Sequence, residues 1–221
     1  MQTYTHYLPC ADHVAKRDDE RARVAAFGRA GLVTTTYFNP MICTGHPRYA
    51  EARERRALTK TVLGTPYEYR YTGSDQFLVG QIDFRAPTAP EFWKSLLDEA
   101  IADGHRGWME DLGEYTPDDA RAADGKTGSG GHNAYVRDYH GAAQAAVGDQ
   151  RLLRFVRSGF TGSAKFSPIV WGGDPSTSWD FDGLRSAARN GLSMGLSGVS
   201  RWGSDMAGSS RSRRSRRRPS C

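Results

Sequence analysis

The stretch TAPEFWKSLLDEAIADGHRGWMED, residues 88–111, holds one helix followed by one strand, and the chain around it repeats that alternation. Trp93, Leu96, Leu97, Ala100 and Ile101 fall at i, i+3, i+4, i+7 and i+8, which predicts a helix over 91–103 with one apolar face on a sheet. Thr88 and Glu91 have the spacing of a capping box at its start. Trp93 and its neighbour Phe92 sit on this pattern and read as core. Residues 107–111 follow as an extended run and predict a strand ending at Asp111, with Glu114 just beyond.

Outward from this unit, residues 32–38, 152–158, 167–174 and 198–205 also read as strands, and 17–30, 48–58, 132–148 and 182–192 as helices. Strands alternating with helices argue for an α/β fold built on a parallel sheet. A complete eight-stranded β/α barrel takes about 250 residues, so a chain of 221 points to an incomplete one. No internal repeat is visible. Residues 118–131, ending DGKTGSGG, are polar and glycine-rich and read as a loop after the 107–111 strand. Gly125, Lys126 and Thr127 have the look of a phosphate loop, but that motif needs a further glycine where Ala120 stands.

The formal charge of +5 is misleading until its location is seen, because residues 209–221, SSRSRRSRRRPSC, hold six arginines and no acid. Thirty basic residues less those six leave 24 against 25 acidic ones, a net of −1 for the body. A basic nucleic-acid-binding face is therefore not supported outside the tail. Cys10, Cys43 and Cys221 are too few and scattered for a disulfide framework or a cysteine zinc site. The first twenty residues lack a signal-peptide pattern and no run of eighteen apolar residues occurs, so the expectation is a soluble, cytoplasmic chain with no membrane partner.

In parallel β/α architectures the loops at the carboxyl ends of the strands share one mouth, and chemistry gathers there. Asp111, Asp174 and Asp205 each follow a predicted strand, Arg157 ends another, and Trp108, Trp171 and Trp202 lie close by in sequence. Carboxylates beside indoles suit a sugar, whose apolar face stacks on a ring while its hydroxyls bond to charge. Two carboxylates flanking a glycosidic bond can divide the nucleophile and acid roles. The alternative for each strand-end aspartate is a helix cap or a loop tie.

The blocks GWMEDLGEYTPDD (107–119), DG (124–125), HNAY (132–135), FVRSGFTGSAKFSPIVWGGD (155–174) and WGSDMAG (202–208), taken in order, resemble glycoside hydrolase family 31. TTTYFNP (34–40) and QIDFRAP (81–87) extend the resemblance upstream, so that it runs from Leu32 to Gly208. It implies a retaining α-glycoside hydrolase of the α-glucosidase, α-xylosidase or sulfoquinovosidase kind. Asp111 matches the nucleophile and Asp174 the general acid/base. Arg157 matches a substrate-holding arginine, Asp205 an aspartate on sugar hydroxyls, and Glu114 an orienting residue, with Trp171 and Trp202 beside the sugar. The implied double displacement needs Asp111 ionised and Asp174 protonated, the latter by burial and a nearby anion. It needs no metal or cofactor. The six histidines have no metal-ligand spacing, and His132 is expected to order the loop after the nucleophile strand. Residues 81–84 are assigned no chemistry. Pro175, after Asp174, and Ala207, after Asp205, depart from the family's pattern.

The resemblance also implies neighbours that this sequence does not contain: a preceding β-sandwich, the barrel's first strands with another pocket acid, and a last strand with a pocket histidine after Gly208. The expected architecture is a partial (β/α)8 TIM barrel, roughly strands 3 to 7, over residues 1–208. Residues 209–221 are expected to be a disordered tail, of the composition that a reading-frame shift in GC-rich coding sequence would produce. Its rival is a genuine basic tail for an acidic partner. Three functions stay open: a hydrolase on an α-glycoside substrate, weakly active or inactive as this chain; a carbohydrate-binding relic; and a polyanion-binding adaptor acting through the tail.

Overall fold

The computed structural model describes residues 16–70, 78–166, 169–179 and 181–205. They divide into two units, one over 1–167 and one over 168–221.

In the first unit the elements run α1 (Arg17–Arg29), β1 (Thr36–Phe38), β2 (Met41–Cys43), α2 (Pro47–Glu54), β3 (Glu68–Arg70), β4 (Leu78–Gln81), α3 (Ala89–Ala102), β5 (Gly107–Glu110), α4 (Gly128–Val147) and β6 (Leu153–Val156). β5 lies between β1 and β6, parallel to both, with Phe38 and Val156 opposite Glu110. This is the expected parallel β/α pattern. A second sheet, antiparallel in the order β2-β4-β3, was not expected from the sequence. Its strands are three or four residues long, too short to display a period, and β2 (MIC) is buried throughout while β3 (EYR) is largely exposed.

The core between helices and sheet is aromatic. Phe92, Trp93, Phe38, Trp108 and Tyr139 are fully buried, in agreement with the reading of Phe92 and Trp93. The Phe38 ring meets both Trp93 and Trp108 edge-on, at 5.5 and 5.6 Å between centroids, an arrangement that aromatic quadrupoles favour. Leu96, Leu97 and Ala100 carry the same face of α3 into this cluster. Gly107 is required where β5 meets β6. Its φ is +149°, and a Cβ there would lie 1.8 Å from the Leu153 carbonyl oxygen.

Several boundaries differ from expectation. Thr88 makes no side-chain cap on α3; its hydroxyl donates instead to the Arg55 carbonyl at 2.7 Å, which ties the helix start to the turn after α2. α2 stops at Glu54 because Arg56 turns left-handed, at φ +56°, and Leu58 bridges to Ile82. α4 begins at Gly128, inside the predicted loop. A Cβ on Gly128 would come within 1.9 Å of the Pro117 carbonyl oxygen, so only glycine lets the helix start against that loop.

The second unit holds β7 (Val170–Trp171) parallel to β8 (Trp202–Gly203), with α5 (Leu184–Leu196) between them in sequence. Both strands are shorter than predicted, and α5 runs four residues past its predicted end at Leu192. No residue of α5 is buried, and Leu192 and Leu196 are exposed. Cys43 is buried. Cys10, Cys221 and the tail at 209–221 lie outside the described residues. Among the described residues no helix is long and apolar enough to cross a membrane.

Candidate active site

Asp111 directly follows β5, at its carboxyl end, and its backbone N–H donates to the Phe38 carbonyl at 2.7 Å. Leu112 then takes a left-handed conformation, φ +61°, and Gly113 follows at φ +99°. Such a turn is strained for leucine. The buried Leu112 side chain packs with Met41, Cys43 and Val79, and the Ser158 hydroxyl donates to the Leu112 carbonyl at 2.5 Å. The turn thus holds Asp111 at the strand end and brings Glu114 back toward β6.

Around the Asp111 carboxyl the first unit gathers three polar side chains. The Tyr37 hydroxyl donates to Oδ2 at 2.5 Å. Arg157 Nε lies 3.1 Å from Oδ1, an ion pair out of line for a hydrogen bond. The other end of the same guanidinium donates to Glu114 Oε1. Asp111 is 7% exposed. Burial pushes its carboxyl above the usual carboxylate range, and the Tyr37 hydrogen bond and the Arg157 cation oppose that push. Burial likewise works against the charge on Arg157, and Asp111 and Glu114 outweigh it. Asp111 Oδ1 and Glu114 Oε2 are buried without a hydrogen bond among the described residues.

Asp111, Glu114 and Arg157, singled out in the sequence, therefore meet in space. Tyr37 was missed. Its only signal was position, at the carboxyl end of a strand beside β5; register sets Tyr37 opposite Met109. Trp108, expected near the mouth, belongs to the core: it is fully buried and its indole donates to Glu110 at 3.0 Å. Side chains two apart on a strand share a face, so Trp108 goes with Glu110 and away from Asp111. His132 does order the loop, with Nδ1 3.1 Å from the Thr116 carbonyl oxygen. Gln81 adds a prop, donating to the Thr116 hydroxyl at 2.9 Å.

In the second unit Asp174 comes three residues after β7, behind Gly173 at φ +88°. Asp174 is exposed, so the burial expected around it is not found in this chain. The Trp171 indole donates to Asp205 Oδ1 at 2.7 Å, which joins two more of the predicted residues. Trp202 packs so closely on Gly172 and Gly191 that a Cβ at either would lie 2.9 or 2.8 Å from its ring. Its buried Nε1 has no partner among the described residues. Trp202, Asp205, Ser204, Trp179 and Ser176 line an open pocket of about 510 Å³. No group of three His, Cys, Asp or Glu side chains that could hold a metal occurs among the described residues.

Known proteins with these features can now be set beside the chain. Residues 12–217 match the TIM-barrel domain of the family 31 glycosyl hydrolases. Similar proteins include the sulfoquinovosidase of Agrobacterium fabrum, 30% identical over 85% of this chain and 29% of its own. The sulfoquinovosidase of Escherichia coli is 28% identical, over 85% of this chain and 28% of its own. In structure, a family 31 sulfoquinovosidase from E. rectale, solved with an aza-sugar inhibitor, superposes with a TM-score of 0.78 at 26% identity, over 86% of this chain and 29% of that one. The chain thus spans under a third of the length of these relatives. With a family match over nearly its whole length and the parallel β/α architecture that goes with it, this chain belongs to glycoside hydrolase family 31.

Proposed function

We propose that the chain carries the catalytic residues of a retaining α-glycoside hydrolase, with Asp111 as nucleophile and Asp174 as general acid/base. The observation that carries this reading is the set of groups on Asp111. It is a buried strand-end carboxyl held by the Tyr37 hydroxyl at one oxygen and the Arg157 cation at the other. A nucleophilic carboxylate must be ionised although desolvated, and a cation and a hydroxyl donor supply what water would otherwise provide. Asp111 attacks the anomeric carbon and forms a glycosyl ester. Asp174 protonates the leaving oxygen and then takes a proton from the water that releases the sugar. This requires the two carboxyls to come within about 5–5.5 Å in the working site. Arg157 and Glu114 orient Asp111; Asp205, held by Trp171, accepts sugar hydroxyls, and Trp202 offers a ring face.

Two of the relatives are sulfoquinovosidases and another, from Emericella nidulans, is an α-xylosidase at 25% identity. The substrate is accordingly sought among α-linked glucosides, xylosides and sulfoquinovosides. The test is release of 4-nitrophenol from each of the three aryl glycosides, with Asp111→Asn as the blank. Turnover that vanishes in Asp111→Asn and falls steeply in Asp174→Asn supports the assignment; turnover that survives in Asp111→Asn sinks it. For the 221-residue chain assayed alone, very slow turnover or none is expected. Much of the rate in such enzymes comes from hydroxyl contacts that strengthen in the transition state, and five parallel strands of a barrel are described here.

A further inference from the structure

Glu110 precedes Asp111 and takes no part in the mechanism above, yet it is fully buried and meets three donors. The Trp108 indole reaches Oε1 at 3.0 Å, Arg154 Nε reaches the same oxygen at 2.6 Å, and His140 Nδ1 lies 2.7 Å from Oε2. Arg154 sits opposite Trp108 on β6 and reaches on to Gln144 of α4 at 2.7 Å. Burial acts against ionised Glu110, but Arg154 and His140 outweigh it and hold the carboxyl below the usual range. An apolar filling of this layer would be at least as stable as a buried ionic cluster. What hydrogen bonds add is direction, since each fixes an orientation that apolar contact leaves loose.

That direction leads to the site. The other ring nitrogen of His140, Nε2, lies 3.1 Å from the carbonyl oxygen of Ser158. One buried imidazole on α4 therefore touches the residue before Asp111 and the residue after Arg157. Ser158 in turn donates to the Leu112 carbonyl at 2.5 Å, closing a loop around the Asp111–Arg157 pair. We propose that His140 is a positioning residue that sets the Asp111–Arg157 ion pair by holding Glu110 on β5 and Ser158 after β6 at one fixed separation. This rests on the reading of Asp111 as nucleophile, and deepens it. Without the imidazole, the Ser158 carbonyl and the Glu110 carboxylate each lose a fixed partner, and the two strand ends shift against one another.

The test reads the pair directly, through the ¹³C-carboxyl titration of Asp111 in the full chain, its signal assigned by its loss in Asp111→Asn. Tyr37, Arg157 and Glu114 are the charged or titratable groups facing that carboxyl. His140→Phe keeps the ring and removes both hydrogen bonds. It is expected to raise the Asp111 midpoint by about half a pH unit or more, as Arg157 drifts from its partner. His140→Asn, which keeps a donor for Glu110, should recover part of the shift. Val147→Ala, a core truncation farther along α4, should leave the midpoint in place. An unchanged midpoint in folded His140→Phe overturns the proposal. If His140→Phe does not fold, His140→Asn decides, because it keeps a donor for Glu110 but not the bond to the Ser158 carbonyl; a smaller rise supports the proposal and no rise overturns it. Hydrolysis of the aryl glycosides, followed in parallel, keeps the two readings separate. Turnover that survives in Asp111→Asn, with an Asp111 midpoint that still moves in His140→Phe, would sink the hydrolase assignment and leave the positioning role standing.

Discussion

Tyr37 contributes a single atom to the site, and its removal gives a clean prediction. Tyr37→Phe deletes the hydroxyl that opposes the burial-driven rise of the Asp111 carboxyl. The midpoint of Asp111 should then climb further, by about one pH unit. On the proposed role of Asp111 as a nucleophile, which must be ionised, the acid limb of kcat/KM should move to higher pH by the same amount, with activity at alkaline pH little changed. An unmoved acid limb would show that Tyr37 does not bear on the nucleophile. Asp111 also links function to stability. Its folded-state value is raised, so the folded chain binds more protons than the unfolded one between the ordinary carboxylate range and the raised value. Stability associated with this group is full below the unfolded value and is lost as pH rises through the folded one. Asp111→Asn removes that loss, and is expected to raise Tm at pH 7 while the gain shrinks toward pH 4. An equal or lower Tm at pH 7 would contradict it. Arg157 tempers the gain, since it loses Asp111 as a partner in that variant.

Between elements, the tightest constraint is the contact of β5 with β6 at Gly107. Gly107→Ala combines an unfavourable φ with overlap on the Leu153 carbonyl, so the strands must part or shift register. A loss of about 3 kcal/mol or more in urea unfolding is expected. A loss below about 1 kcal/mol would mean that the strand ends adjust freely. This requirement was invisible in the sequence, where Gly107 merely opens an extended run. The helix beside it was legible, because α3 places five apolar residues on one face, and their period survives any detail of the fold. β2, β3 and β4 were illegible for the opposite reason. Three residues carry no period, and what makes 41–43, 68–70 and 78–81 strands is their partners elsewhere in the chain, which for β2 and β4 lie 36 to 40 residues apart.

For the molecule as a whole, α5 has an apolar face that no described residue buries. Leu192 and Leu196 are 76% and 93% exposed. Replacing both with lysine should change the stability of the isolated chain by no more than about 0.5 kcal/mol. It should also lower self-association at high concentration, because it breaks an exposed apolar patch. A larger loss of stability, measured by thermal unfolding at low concentration, would show that these leucines are covered in solution.

The sequence by itself determined the class of fold, the parallel alternation and the candidate site residues, because helical period, strand-end position and ordered motif blocks are properties of neighbouring residues. Asp111, Glu114 and Arg157 were named from it, and so were Asp174, Asp205, Trp171 and Trp202. Only the tertiary structure decided that Tyr37 reaches Asp111, that Trp108 turns into the core, and that Glu110 is clamped by Arg154 and His140. Each of these follows from the register between strands or from a helix laid across them. Such contacts join residues 30 to 74 positions apart, and no local pattern encodes a distance that only the packed chain closes.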